Sequence, residues 1–142
     1  MNKEKIGQIG EQIVQNLLGG TLSENKFDMN KDLTLEDGTE VEVKTQNRWV
    51  NDNSFSLNTA HFNQLPKCVS VDRLIWVEYG RNDYINIYED TKRVYTIKKA
   101  GYRDAAAFPI SGMTLLARLK LPKEALMLRQ LSGADPRWLR DL

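Results

Sequence analysis

Apolar residues recur at steps of three and four through Ile6, Ile9, Ile13, Val14, Leu17 and Leu18, which predicts an amphipathic helix over about residues 3 to 18. Gly19-Gly20 supplies its stop. Gly7 and Gly10 lie inside that stretch, where each costs about 1 kcal/mol relative to alanine, so both predict a close approach to the helix backbone. The period then changes to two. Phe27–Leu35 and Thr39–Gln46 are joined by Glu36-Asp37-Gly38, and Asp-Gly between two such runs predicts a hairpin. Residues 45–56 read as a polar loop. Asn58-Thr59 can cap a short helix through Leu65, stopped by Pro66. Leu74-Ile75-Trp76-Val77 is an unbroken apolar run, as expected of a central strand covered on both faces. A turn at Gly80–Asp83 leads into the alternating stretch Tyr84–Tyr88, and Val94–Ile97 reads as a short edge strand. From Leu121 the pattern is helical again, with Pro122 at a first helical position, Ala125, Leu126 and Leu131 as a stripe, and Gly133 as its end. The order predicts an α/β (α+β) fold with a mixed β-sheet flanked by helices: a core over 1–100, and a basic, mostly helical C-terminal extension over 101–142 packed on the same domain.

A chain of 142 residues with 41% hydrophobic content suits one domain with a real core. It holds no apolar segment long enough to span a bilayer and no signal-peptide core after Met1–Lys5, so a cytoplasmic protein without a membrane partner is expected. The single cysteine, Cys68, excludes an internal disulfide and a cysteine zinc cluster, and an inert thiol is its expected state. His61 is the only histidine, so no two-histidine metal site can form within one chain. Glycine-rich nucleotide loops are absent.

The net charge of +1 conceals a split. Residues 1–91 carry nine lysines and arginines against fifteen acids, a balance of −6, whereas residues 92–142 carry eleven against four, a balance of +7. Such a chain suits an acidic, metal-collecting half and a basic half that meets phosphates; the alternative is charge scattered over solvated faces. Lys98, Lys99, Arg103, Arg118 and Lys120, with Arg48 beside the hairpin, are the candidate phosphate contacts, and Trp49 is a candidate for stacking on a base. Met113, Leu115, Leu116, Leu119, Leu126, Met127, Leu128 and Leu131 exceed one helical stripe. Packing over the sheet is the default for that surplus, and a homodimer interface is its alternative.

The chemistry concentrates on Glu42-Val43-Lys44. Residues two apart on a strand share a face, so Glu42 and Lys44 project together, about 7 Å apart, while Val41 and Val43 turn to a core. The acid-x-lysine pattern also occurs at Glu24-Asn25-Lys26 and Asp90-Thr91-Lys92, so context must decide. If Glu36-Asp37-Gly38 is a three-residue loop with Gly38 left-handed, Asp32 falls opposite Glu42, with Cβ atoms about 5 Å apart. Facing carboxylates destabilise a sheet unless a cation binds between them. A two-residue loop would turn Asp32 to the other face, and Asp28, of the same parity, is the alternative acid. Glu11 lies off the centre of the first helix's stripe and could reach the sheet edge; the plainer reading is a solvated surface glutamate.

Gly10-Glu11 on a helix, Asp32 on a strand and Glu42-Val43-Lys44-Thr45 on the next resemble the PD-(D/E)xK, or restriction-endonuclease-like, nuclease superfamily, over roughly residues 5 to 90. The proline that often precedes the family's aspartate is replaced by Lys31 before Asp32 and by Phe27 before Asp28. The resemblance implies a nuclease core and a metal-dependent deoxyribonuclease in which Asp32, Glu42, the Val43 carbonyl and Glu11 surround Mg²⁺ (Mn²⁺ substituting) and Lys44 positions the attacking water. It also implies a contact of Gln46 near the scissile phosphate. The implied partner is double-stranded or branched DNA, and a small phage-type, structure-selective or junction-resolving endonuclease acting in the host cytoplasm is the expected branch. A non-catalytic DNA-binding or virion-structural module on the same fold is the alternative.

Overall fold

The computed structural model describes residues 3–23, 32–47, 53–81, 84–100, 103–120 and 123. The first helix, α1 (Lys3–Leu18), has the predicted bounds and ends at Gly19 and Gly20, whose φ of 80° and 90° side chains rarely adopt. Of its two inner glycines only Gly10 meets another element; a Cβ on Gly7 would touch nothing within 4 Å, which corrects the expectation there.

Strands β1 (Thr21–Leu22), β2 (Leu33–Thr34), β3 (Glu40–Asn47), β5 (Arg73–Arg81), β6 (Tyr84–Glu89) and β9 (Thr114–Lys120) form one sheet in the order β1-β2-β3-β5-β6-β9. It is mixed: β3 and β5 run parallel, and the other neighbours are antiparallel. A second, antiparallel sheet has the order β4-β8-β7, from β4 (Ser54–Asn58), β8 (Arg103–Pro109) and β7 (Thr96–Ala100). A 3-10 segment, Thr59–Gln64, leads into the second helix, α2 (Leu65–Ser70), within the crossover from β3 to β5.

Two cores cover the two faces of the six-stranded sheet. Ile6, Ile13 and Val14 of α1 pack with Val41, Val43, Ile75, Val77, Ile85 and Ile87 on one face. On the other, Leu74 and Trp76 pack with Leu65 and Cys68 of α2 and with Phe55, Leu57, Ala106 and Phe108 of the second sheet. The Phe55 and Trp76 rings stack at 4.9 Å, and Phe108 tilts onto Trp76 at 5.2 Å. Leu74–Val77 of β5 is an unbroken apolar run because each face meets its own core.

Several expectations are corrected. Pro66 does not stop a helix; it sits in the first turn of α2, where its missing N–H has no intrahelical partner to lose. The polar loop contains β4, whose Phe55 and Leu57 alternate inward. The edge strand expected at Val94–Ile97 is β7, which begins at Thr96 and belongs to the second sheet. Residues 103–109 and 114–120 of the expected helical extension are strands, one in each sheet; from Leu121 onward only Lys123 is described, and the expected helix there lies outside the described residues. Among the described residues no helix is long and apolar enough to cross a membrane.

Candidate active site

The hairpin between β2 and β3 sets the geometry. Gly38 has φ 89°, its N–H donates to Leu35 O at 3.0 Å, and Leu35 N–H donates to Thr39 O at 2.9 Å, closing a three-residue loop over Glu36-Asp37-Gly38. Asp37 Oδ1 accepts the Thr39 N–H at 2.9 Å, and the Thr39 hydroxyl first, then that N–H, hold the Asp37 carboxyl below its ordinary range. The register that follows pairs Thr34 with Glu40 and Leu33 with Val41, and Asp32, just ahead of β2, breaks the ladder by donating its own N–H to Val41 O at 3.0 Å. β2 begins only at Leu33, leaving that edge of β3, the one away from β5, without a ladder partner beyond Val41. Asp32 takes that partner's role: its Oδ2 accepts the Val43 N–H at 3.0 Å. In a strand the carbonyl of a residue leaves by the same edge as its N–H, so the Val43 carbonyl also faces this open edge.

Parity does the rest. Val41 and Val43 are buried toward α1, and Glu42, only 1% exposed, projects to the opposite face with Lys44. Lys44 Nζ lies 3.4 Å from Glu42 Oε1 and donates a hydrogen bond to Gln64 Oε1. Glu42 Oε2 is buried and accepts no well-aligned hydrogen bond, although Lys67 Nζ lies 2.6 Å away. The same ammonium is 3.8 Å from Asp32 Oδ1.

α1 delivers the fourth group. Helix and strand touch at Gly10, where a Cβ would fall 1.7 Å from Thr45 Oγ1. Glu11 follows it and is half-buried. Burial, and then the Asp32 carboxylate, push its carboxyl up to about 7 against the opposing pull of Lys67 and Lys44. Its field therefore couples it to three members of the cluster, unlike a solvated surface glutamate.

Sequence reasoning missed Lys67 and Gln64. Taking Pro66 as a stop ended the expected helix at Leu65, short of Lys67, and Gln64 on that helix was not singled out. Leu65 and Cys68, three apart, are both buried and anchor this segment, which leaves Gln64 and Lys67, also three apart, a shared face. Burial pushes the Cys68 thiol upward, in keeping with an inert core cysteine.

Other candidates do not converge here. The Gln46 amide is spent on β4: Nε2 donates to Ser56 O and Oε1 accepts the Ser56 N–H, both at 2.9 Å, a clamp between the sheets rather than a phosphate contact. Lys98 and Lys99 lie on the exposed edge strand β7, and Lys99 pairs with Asp104 at 3.1 Å. Arg103 lies at the start of β8. Arg118 and Lys120 lie on β9, separated from β3 by β5 and β6, about 14 Å across the sheet. Arg118 Nε donates to Asn86 Oδ1 at 2.9 Å, and Asn86 Nδ2 to buried Glu78 Oε1 at 2.8 Å, so this arginine ends a polar row. The competing motif at Asp90-Thr91-Lys92 is a turn in which Asp90 Oδ1 accepts the Arg93 N–H at 2.8 Å. Asp28, Arg48 and Trp49 lie outside the described residues, as does Glu24-Asn25-Lys26.

Among the described residues, no group of three or more histidines, cysteines and carboxylates is gathered as a metal-holding set. What converges is an acid pair, two lysines, a glutamine and a glutamate whose carboxyl is pushed up to about 7, drawn from α1, the Asp32 bend, β3 and the 59–70 segment. No protein-family model matches the chain, and no curated protein matches it.

Proposed function

We propose that the chain is a metal-dependent deoxyribonuclease with a restriction-endonuclease-like core, hydrolysing DNA phosphodiesters at the Asp32–Glu42–Lys44 site. The observation that carries this reading is the gathering of the three side chains: one ammonium, Lys67 Nζ, lies 3.8 Å from Asp32 and 2.6 Å from Glu42, and Lys44 Nζ lies 3.4 Å from Glu42. The donor set fits Mg²⁺: carboxylate and carbonyl oxygens are hard ligands, two carboxylates suffice for an ion that keeps several waters, and Glu42 Oε2 is a buried oxygen with no hydrogen bond of its own. Asp32, Glu42 and the Val43 carbonyl would hold the ion, which when bound would supply a water of lowered pKa and charge stabilisation at the phosphate.

The chain's own groups do the remainder. Lys44, aimed by Gln64 Oε1 and Glu42 Oε1, donates a hydrogen bond to the attacking water or offsets charge on the phosphate. Glu11, with its carboxyl near 7, can hold or release a proton at neutral pH, the range in which general acid–base groups work best. Among the described residues the elements are used by the two sheets and their cores. That favours recognition of DNA shape, as in branched or junction DNA, over base sequence, and a homodimer would present one such site per strand.

Lys44→Ala should lower cleavage by at least about 10²-fold, the scale of losing one charge-stabilising donor, while DNA and Mg²⁺ binding are retained. Cleavage at the parent rate by that variant would sink the assignment. The second reading, a non-catalytic DNA-binding module, is favoured by the lysine that already neutralises the acid pair. Plasmid, linear and branched DNA incubated with and without Mg²⁺ separate the two, since the binding module leaves every substrate intact.

A further inference from the structure

Lys67 stands where a cation belongs. Its Nζ is 2.6 Å from Glu42 Oε2 and 3.8 Å from Asp32 Oδ1, between two carboxylates, one of them held at β3 by the Val43 N–H. Without a positive charge there, a buried Glu42 beside Asp32 would be strongly unfavourable, because an uncompensated buried charge destabilises more than a pair stabilises. We propose that Lys67 is a tethered counter-ion that holds this cation position in the metal-free protein and yields it to an entering divalent ion.

Three features make the lysine displaceable. The contact with Glu42 is one of charge, with no well-aligned hydrogen bond to break, since Oε2 accepts none. Lys44 differs, because its ammonium also donates to Gln64 Oε1. Lys67 also hangs from a helix fixed elsewhere: Leu65 and Cys68 anchor α2 in the second core, so the four-carbon stem can swing the ammonium without moving the helix. And 3.8 Å to Asp32 leaves one carboxylate only loosely engaged. The competition would set the metal affinity, and the displaced ammonium would remain beside the site, where an incoming phosphate needs positive charge.

This inference rests on the metal-site reading, and its test does not use catalysis. The full chain, without DNA, is titrated calorimetrically with Mg²⁺ and, separately, Ca²⁺, as the parent and as Lys67→Met, Lys67→Gln and Lys67→Arg. The two neutral variants should bind both ions about tenfold more tightly, a change of about 1.4 kcal/mol, and Mg²⁺ should raise their Tm more than it raises the parent's. Lys67→Arg, which keeps the charge, should not tighten binding. Equal or weaker affinity in whichever neutral variants fold, binding by none of the proteins, or equal tightening by Lys67→Arg would each overturn the proposal. Tighter binding in the neutral variants with no cleavage by the parent would leave the counter-ion standing and remove the nuclease. Metal-dependent cleavage by the parent with unaltered affinities in the variants would do the reverse.

Discussion

Glu11 shows how a single side chain can be costly to a fold and useful to a site. Its carboxyl sits at about 7 when folded, against 4.5 for the model carboxyl. An acid with a raised folded value binds its proton more tightly in the native state, so native stability falls as pH rises from about 4.5 to about 7 and the full cost is present above that. Linkage sets an upper bound of about 3 kcal/mol, and solvent screening of a half-buried group reduces it to about 1–2 kcal/mol. In the metal-free protein, Glu11→Gln should match the parent at pH 4.5 and exceed it by that amount at pH 8, as read by urea denaturation at each pH. The three-residue loop was legible at this scale because Asp37-Gly38 favours a left-handed glycine at its end. Lys67 was not, because proline serves equally as a helix stop and a first-turn residue, and only the burial of Leu65 and Cys68 decides between them.

At the scale of elements, the crossing of α1 over β3 positions Glu11. Gly10→Ala would gain about 1 kcal/mol of helix propensity, but the new Cβ would fall 1.7 Å from Thr45 Oγ1 and 2.8 Å from Thr45 Cβ. The hydroxyl can rotate away and the Cβ cannot, so overlap wins. A net loss of about 1–2 kcal/mol is expected, seen as a lower urea midpoint with unchanged m, and Thr45→Ala, which keeps that Cβ, should restore little of it. α1, the hairpin, β5 and β6 were readable because each carries a clean period or a decisive turn. β4, β8 and β9 were not. β8 is Ala105-Ala106-Ala107 at its centre, residues that rarely build strands alone, and is made a strand by pairing with β4 and β7. β9 has Leu115, Leu116 and Leu119 at a helix-like spacing, overridden by its ladder with β6.

For the whole molecule, the acid pair and its lysines draw on both cores: α1 and β3 bring one half, and α2, bedded against the second sheet, brings the other. Phe108, fully buried against Trp76 and Tyr95, is the residue where that dependence can be probed. Phe108→Ala should cost about 3–5 kcal/mol in urea denaturation. It should also weaken cleavage more than stability loss alone explains, because α2 loses part of its bed. The charge split is real as a count, yet its described basic members are spread over the turn at Lys92-Arg93, β7, the start of β8, β9 and Lys123 rather than gathered on one strand. The chain order also imposes a timetable. Glu42 and Lys44 leave the ribosome early, but the surface that seats Gln64 and Lys67 is finished only when β8 has been made, some forty residues after α2. A nascent chain therefore carries the acid pair for much of its synthesis without the lysine that lies between them, so completion of this cluster is tied to the arrival of Phe108.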